Sequence, residues 1–270
     1  MKYIRGFLMA WGNFTALPCP YHRWNDDSRK AMLCMMPPVG MMVAGVVIAA
    51  WWLLDMAGTS QVLTGAILTA VYFCSCGFIH LDGFMDCSDA ILSRRPELEE
   101  RQRILKSPDV GAFAVVSVVL ALLIFAASMM ELAQDFSFKR AGILLIIMAI
   151  SRGIAADSVG RKTVMRTSQY ADLRDMKFTF AESALLNLWT VLPVLAVPNI
   201  SDFGIGKDAF EYLAYFAGAT LTVLAVAIGC GAYARRKLGG MNGDIAGYMI
   251  VMSETAAVAA AAVASACVGL

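Results

Sequence analysis

The chain alternates long apolar stretches with short segments rich in charge. A helix that crosses the roughly 30 Å hydrocarbon core of a bilayer needs about 20 mostly apolar residues, because each residue adds 1.5 Å. Seven stretches approach this length, and together they predict an all-α fold, a polytopic membrane bundle of seven transmembrane helices. They are Cys34–Ala57, Gln61–Ile79, Gly111–Leu132, Ala141–Asp157, Ser183–Val197, Phe210–Ala232 and Ile245–Leu270.

Composition supports a membrane protein. Hydrophobic residues make up 59% of the 270 positions, charged residues 16%, and the mean hydropathy is +0.65. Globular domains have roughly 45–50% apolar and about 25% charged residues, so this chain has too little polar material for a water-facing surface. An ordinary soluble enzyme is excluded. Since no repeat or linker divides the sequence, we expect residues 1–270 to form a single integral membrane domain.

Basic residues fall on alternate sides of the predicted spans. Eighteen of the 22 Lys and Arg residues lie in the N-terminal segment and in the loops 79–111, 157–183 and 232–245. Cytoplasmic loops are enriched in basic residues. The distribution therefore predicts a multi-pass protein with a cytoplasmic N-terminus and its C-terminus on the opposite side.

Net charge and cysteines limit the classes of partner and chemistry. With 22 basic and 21 acidic residues the net charge is +1, which argues against a nucleic-acid partner. The bilayer is the partner that the composition implies. The seven cysteines show no paired CxxC spacing and are interpreted as small hydrophobic residues.

Three aspartates follow the second predicted span. Asp82, Asp86 and Asp89 stand at positions i, i+4 and i+7, so a helical segment would place all three on one face. Their negative charges repel unless a cation or a basic partner neutralises them. Hard carboxylate oxygens suit Mg²⁺, which binds one or two carboxylates together with phosphate oxygens of a substrate. A solvated helix start, with Asp82 as its cap, is the simpler alternative.

A second group of polar residues precedes the last span. Arg235, Arg236 and Lys237 are followed by three glycines, Asn242 and Asp244. Cations and glycine backbone N–H groups are suited to binding phosphate, and Asp244 could add a metal ligand. A cytoplasmic basic anchor followed by a flexible turn would give the same pattern.

Several ionisable residues lie within or beside apolar spans, where an unpaired charge costs several kcal/mol. Arg152 is a candidate phosphate clamp, or it forms a structural pair with Glu254 or Asp157. Glu254 lies ten residues beyond Asp244, about 15 Å along a helix, which keeps it away from the same metal ion. His80 is a candidate base or metal ligand, or an interfacial residue that caps the span.

The stretch from Gly77 to Asp89, GFIHLDGFMDCSD, resembles the signature of the adenosylcobinamide-GDP ribazoletransferase family, the cobalamin synthases. The resemblance extends over essentially the whole chain. Further matching segments, in order, are Leu17–Pro20, Pro37–Gly40, Ser151–Gly153, Leu238–Asp244 and Ser253–Glu254.

The resemblance implies a phosphoryl-group transfer. Adenosylcobinamide-GDP and α-ribazole, or its 5′-phosphate, would be joined to give adenosylcobalamin, or its 5′-phosphate, and GMP. It implies Mg²⁺ as the cofactor, bound by Asp82, Asp86, Asp89 and Asp244 at the cytoplasmic face of the bacterial inner membrane. Such transfers depend on positioning and charge neutralisation more than on covalent help from the protein.

The same resemblance suggests roles for the other candidate residues. Arg152, the cations 235–237 and Asn242 would bind the phosphate groups, and an aspartate or His80 would orient or deprotonate the attacking hydroxyl. The general base, the preferred acceptor and the oligomeric state stay open. A homo-oligomer and an association with other enzymes of cobalamin synthesis are both compatible with the sequence.

Two segments depart from the pattern of the family. Residues 106–111, KSPDVG, lack a basic residue and have a displaced acid, and the segment 170–180 lacks the Gly-Leu-Gly expected after Tyr-Ala. These departures put loop contacts to the nucleotide or the corrinoid in doubt. They leave the aspartates untouched.

Other membrane proteins with acidic motifs fit less well. A CDP-alcohol phosphotransferase would have x-x-Ala-Arg after Asp82-Gly83, where this chain has Phe84-Met85-Asp86. A membrane prenyltransferase would have a second aspartate-rich block. A seven-span carrier would have polar residues spread through its spans and a pseudo-repeat, whereas the acids here gather at one face.

Overall fold

The protein is described by a computed structural model that covers residues 1–21, 23–134, 136–163, 165, 177–200 and 207–268. Regular structure in these residues is helical throughout. The helices are α1 Lys2–Phe14, α2 Arg29–Cys34, α3 Met36–Met56, α4 Gln61–Ser75, α5 Ile79–Leu92, α6 Leu98–Leu105, α7 Ala112–Leu132, α8 Phe138–Arg161, α9 Phe180–Ile200, α10 Lys207–Leu238 and α11 Gly243–Val268.

The predicted membrane bundle is confirmed, with one change in its second span. Among the described residues, α3, α7, α8, α9, α10 and α11 are each long and apolar enough to cross a bilayer. A seventh crossing requires α4 and α5 together, and these two helices are bent by 88°. The structure is therefore that of a multi-pass membrane protein.

The bend has a local cause. We predicted one continuous span over Gln61–Ile79, but α4 ends at Ser75. Gly77 and Phe78 both adopt left-handed backbone conformations with φ of 60°, which a helix cannot continue. A non-glycine residue in this region is strained by about 1–3 kcal/mol, and such strain clusters at functional sites. Here it immediately precedes the helix with the three aspartates.

The end of α10 also differs from the prediction. We placed Arg235, Arg236 and Lys237 in a loop, whereas the helix continues to Leu238 and includes all three in its last turn. Arg and Lys are good helix formers, and cations are favoured at the negative end of the helix dipole. A prediction from hydropathy alone therefore places the end of this helix too early.

The packing separates an enclosed helix from lipid-facing ones. In α8, 83% of the membrane-spanning window is buried inside the protein, compared with 22% in α7. On α7, large side chains such as Val116, Leu120 and Leu123 are exposed, as expected for a helix that faces lipid. The core thus forms around α8.

The segments predicted to share the cytoplasmic side meet at one end of the bundle, which we call the basic end. Lys2 Nζ lies 3.3 Å from Glu182 Oε1. Gln102 Nε2 donates to the carbonyl of Leu238 at 2.8 Å, and Met165 N donates to the carbonyl of Met241 at 2.9 Å. These contacts join the four basic segments. That this end is cytoplasmic stays a prediction.

Candidate functional site

Two helices approach closely at the basic end and bring distant acids together. A Cβ atom on Gly83 of α5 would lie 2.8 Å from the Cα atom of Asp244 on α11. One on Gly247 would lie 2.9 Å from the carbonyl oxygen of His80. Only glycine permits such contact between backbones. The two motifs, about 160 residues apart, therefore meet where α5 crosses α11.

The segment that contains the three aspartates is helical, since all three lie on α5. Asp82 is exposed, and Asp86 and Asp89 are partly buried, as is Asp244. The Asp86 carboxylate interacts electrostatically with those of Asp82, Asp244 and Asp89. Within the described residues none of the four carboxylates forms an ion pair. The result is a cluster of mutually repelling negative charges.

Asp89 occupies a different position from the others. Its carboxylate lies against the start of α7, where a Cβ atom on Gly111 would be only 2.1 Å from Asp89 Oδ1. Asp82 and Asp244 instead line one cavity, together with His80. The pair Asp82–Asp244 is thus the centre of the site.

This cavity, which we call the acidic cavity, has a volume of about 90 Å³. Its apolar wall includes Phe14, Met36 and Ile250. Phe14 stacks on the His80 ring, with centroids 6.3 Å apart. Sequence reasoning missed Phe14, since an aromatic residue on an N-terminal amphipathic helix gives no sign that it packs beside a site 66 residues away.

His80 is buried in the wall of the acidic cavity, with 6% of its surface exposed. Its Nε2 atom has no hydrogen-bond partner among the described residues. A buried polar atom without a partner costs about 1–3 kcal/mol, so its retention beside the aspartates points to an interaction with a ligand.

The carboxylates fit a divalent cation by their chemistry. They supply hard oxygen ligands, and a cation would relieve their repulsion. Within the described residues, however, no group of three or more His, Cys, Asp and Glu side chains already has the arrangement of a metal site. The prediction of Mg²⁺ therefore rests on the donor set and its charge.

Arg152 has the structural partner that the sequence offered as an alternative. It is 1% exposed and forms a salt bridge with Glu254, which also accepts hydrogen bonds from Ser151 and Tyr72. Its second terminal nitrogen lies 3.4 Å from Cys76 Sγ. The Arg152 charge is thus balanced inside the bundle. We refer to these five side chains as the buried network.

Asn242 caps α11. Its Oδ1 atom accepts a hydrogen bond from Ile245 N at 2.9 Å, and its side-chain amide donates to the Asp244 carboxylate. Asn is a favoured N-cap residue because it satisfies a free backbone N–H group. The structure therefore gives Asn242 a positioning contact with Asp244, while its proposed contact with substrate stays a prediction.

The three cations of α10 do not surround the acidic cavity. Arg236 and Lys237 are exposed, and Lys237 lies over the Tyr233 ring at 5.8 Å. Arg235 lines a separate cavity between α8, α9 and α10.

The two atypical loops add little to the site as far as they are described. Asp109 is exposed and pairs with Ser107 Oγ at 3.1 Å. Most of the segment 170–180, namely residues 170–176, lies outside the described residues.

Fold and site together define a polytopic helical membrane protein that concentrates its polar chemistry at one end of the bundle. The model of the cobalamin-5-phosphate synthase family matches residues 6–262. The chain belongs to this family, and it is accordingly an enzyme, a transferase of cobalamin synthesis.

Individual relatives agree with the family match. The chain is 32% identical over 253 residues to an adenosylcobinamide-GDP ribazoletransferase of Clostridium botulinum, an alignment that covers 93% of this chain and 94% of the relative. A protein of the same name from Clostridium perfringens is 30% identical, with 93% and 95% covered. One from Geobacillus kaustophilus is 29% identical, with 93% and 92% covered. No solved structure matches the chain.

Proposed function

We propose that the chain joins adenosylcobinamide-GDP to α-ribazole, or to its 5′-phosphate, with release of GMP. The names of the relatives and the family membership support this reaction. The structural observation that carries it is the meeting of Asp82 and Asp244 on one cavity at the end of the bundle. The reaction would take place at the cytoplasmic face of the bacterial inner membrane.

Bond changes in this reaction need no covalent intermediate with the protein. A ribose hydroxyl oxygen of the acceptor bonds to the cobinamide-side phosphorus, and the bond from that phosphorus to the GMP oxygen breaks. GMP leaves with the electron pair, and the hydroxyl proton passes to a base. In such transfers the enzyme supplies mainly positioning and electrostatic stabilisation.

The aspartates would hold the cation that balances the diphosphate. Asp82 and Asp244 would bind Mg²⁺, while Asp86 and Asp89, which do not line the cavity, would contribute negative charge beside it. When bound, Mg²⁺ would supply charge neutralisation for the diphosphate and the departing GMP. Asn242 would hold the Asp244 carboxylate in place through its amide.

His80 and the apolar wall would act on the acceptor. His80 lines the cavity and its Nε2 atom has no hydrogen-bond partner among the described residues, so, like the aspartates, it is a candidate to orient or accept the proton of the hydroxyl. Phe14 and Met36 would exclude water and pack against an apolar part of a substrate. Arg152, bound to Glu254, would support the cavity wall behind His80.

Purified protein in detergent provides a direct test. With adenosylcobinamide-GDP, α-ribazole and Mg²⁺ we expect release of GMP and formation of a corrinoid with a benzimidazole lower ligand. Asp82→Asn should abolish both, while the exposed Asp27→Asn should retain full activity as the matched control. Full activity of Asp82→Asn would refute the assignment of the site. Transfer from a CDP-alcohol donor instead would favour the phosphotransferase alternative.

A further inference from the structure

A second polar cavity lies between α8, α9 and α10, apart from the acidic cavity. Its volume is about 340 Å³. Helix α8 and the residue after it contribute Ser158 and Lys162, α9 contributes Asn187 and Thr190, and α10 contributes Arg235. We call it the basic cavity.

The charged residues stand at the mouth of the basic cavity. Lys162 directly follows the last residue of α8, and Arg235 lies in the last turn of α10. Asn187 lies about two turns inside α9, and Ile228 lies seven residues before Arg235, or roughly 10 Å deeper along α10. Positive charge is therefore at the membrane edge, polar groups follow, and an apolar side chain lies deeper.

The described residues that line the cavity carry net positive charge. Among them the one carboxylate, Asp157, forms a salt bridge with Arg161 one turn along α8 and is neutralised there. Neither Lys162 nor Arg235 forms an ion pair with any residue that the structure describes. The amide of Asn187 likewise has no hydrogen-bond partner in the described parts of the chain. Two cations and an amide are thus available to an anion.

Helix α8 separates this cavity from the aspartates. Ala155, Ala156 and Val159 line the acidic cavity, whereas Gly153 and Asp157 line the basic one. At 100° per residue these two sets lie on opposite faces of the helix. Arg235 therefore does not complete the acidic cavity.

We propose that the basic cavity is a binding site for a phosphate group, held by Arg235 and Lys162 and by the Asn187 amide. Arg and Lys are the side chains that bind phosphate, and the apolar floor suits a molecule that is amphiphilic. Two sources have this chemistry: a soluble phosphate monoester and the headgroup of an anionic phospholipid. The site is independent of the transfer reaction proposed above.

The experiment measures binding without catalysis. Detergent-purified protein in buffer with a chelator is titrated with inorganic phosphate and with GMP, with thermal stabilisation as the readout. Retained phosphatidylglycerol and phosphatidylcholine are counted by native mass spectrometry. Wild type is compared with Arg235→Gln, Lys162→Gln and their double variant, and the exposed neighbour Arg236→Gln is the matched control. Asn187→Leu removes the amide without a change of charge.

We expect wild type and Arg236→Gln to bind one or more of the probes. The double variant and Asn187→Leu should bind the same probe at least 10-fold more weakly. Weaker binding of phosphate or GMP identifies a soluble ligand, and selective loss of phosphatidylglycerol identifies a lipid headgroup. Asp82→Asn should be inactive in the transfer reaction yet bind the probes as wild type does. Failure of the proposed reaction can therefore be told apart from failure of the proposed phosphate site. Equal binding of both classes of probe by wild type and the double variant, or no binding by wild type, would overturn the site.

Discussion

The acidic cavity and the buried network show two ways in which one bundle handles charge. In the buried network the Glu254 carboxylate is satisfied by Arg152, Ser151 and Tyr72, deep in the protein. In the acidic cavity Asp82 and Asp244 have no cationic partner in the described residues. The first arrangement stabilises the bundle, and the second leaves negative charge available to a ligand. Mutations should therefore affect stability in one region and activity in the other.

The largest expected effect is on stability, in the buried network. Arg152→Ala removes the cation and leaves Glu254 buried without its charge partner, which should lower the free energy of unfolding by about 3–5 kcal/mol. Thermal unfolding in detergent measures this loss. The double variant Arg152→Met/Glu254→Gln should recover much of it. If Arg152→Ala is as stable as wild type, the buried network does not support the fold.

The next effect is on activity, in the acidic cavity. Asp244→Asn removes a charge from the site while the Asn242 contact and the helix cap remain, so GMP release should fall about 100- to 1000-fold, or about 3–4 kcal/mol. Stability should be unchanged or slightly higher, since repulsion with Asp82 is relieved. A stability loss equal to that of Arg152→Ala would mean that Asp244 stabilises the fold, as Arg152 does, and would contradict its assignment to the site.

A smaller effect should follow from separating α5 and α11. Gly83→Ala places a methyl group against the Asp244 backbone, and overpacking of this kind costs about 1–3 kcal/mol. Activity should fall as well, because the aspartates move apart. Gly45→Ala in α3 is the matched control, since a Cβ atom there meets nothing within 4 Å. Thermal unfolding and GMP release measure stability and activity in both variants. If Gly83→Ala and Gly45→Ala lose similar amounts of each, the close approach of α5 to α11 is unimportant.

The smallest effect is expected at the helix cap. Asn242→Ala should cost about 1 kcal/mol of stability and reduce activity by freeing the Asp244 carboxylate. Asn242→Ser retains a capping oxygen but not the amide, so it should recover stability and leave activity low. Recovery of both by serine would assign Asn242 to the helix cap alone.

The sequence was informative where local structure depends on the length or spacing of a residue pattern. Apolar length predicted the spans, and the i, i+4, i+7 spacing implied that Asp82, Asp86 and Asp89 would lie on one face if their segment were helical. It was less informative about contacts between distant segments, and it offered the pair Arg152–Glu254 only as one of several alternatives. The approach of α5 to α11 at Gly83, the Phe14 ring beside His80 and the three donors on Glu254 all depend on tertiary packing, which no local pattern encodes.

Hydropathy also misjudged two helix boundaries for a physical reason. It measures the polarity of side chains, whereas a helix ends where its backbone turns. At Gly77 and Phe78 the backbone turns within an apolar region, and at Arg235–Lys237 the helix continues through a charged one. A window average of side-chain polarity detects neither event.

The bend after α4 decides where a bulky substrate can be held. A straight continuation would have carried Asp89 roughly 10 Å farther from the bundle than Asp82, out into water and away from α11. Turned by 88° from α4, α5 instead stays against the bundle, with Gly83 beside the Asp244 backbone. In the proposed reaction a substrate too large to enter the bundle would lie along the protein's end, with only its reacting phosphates within reach of the carboxylates.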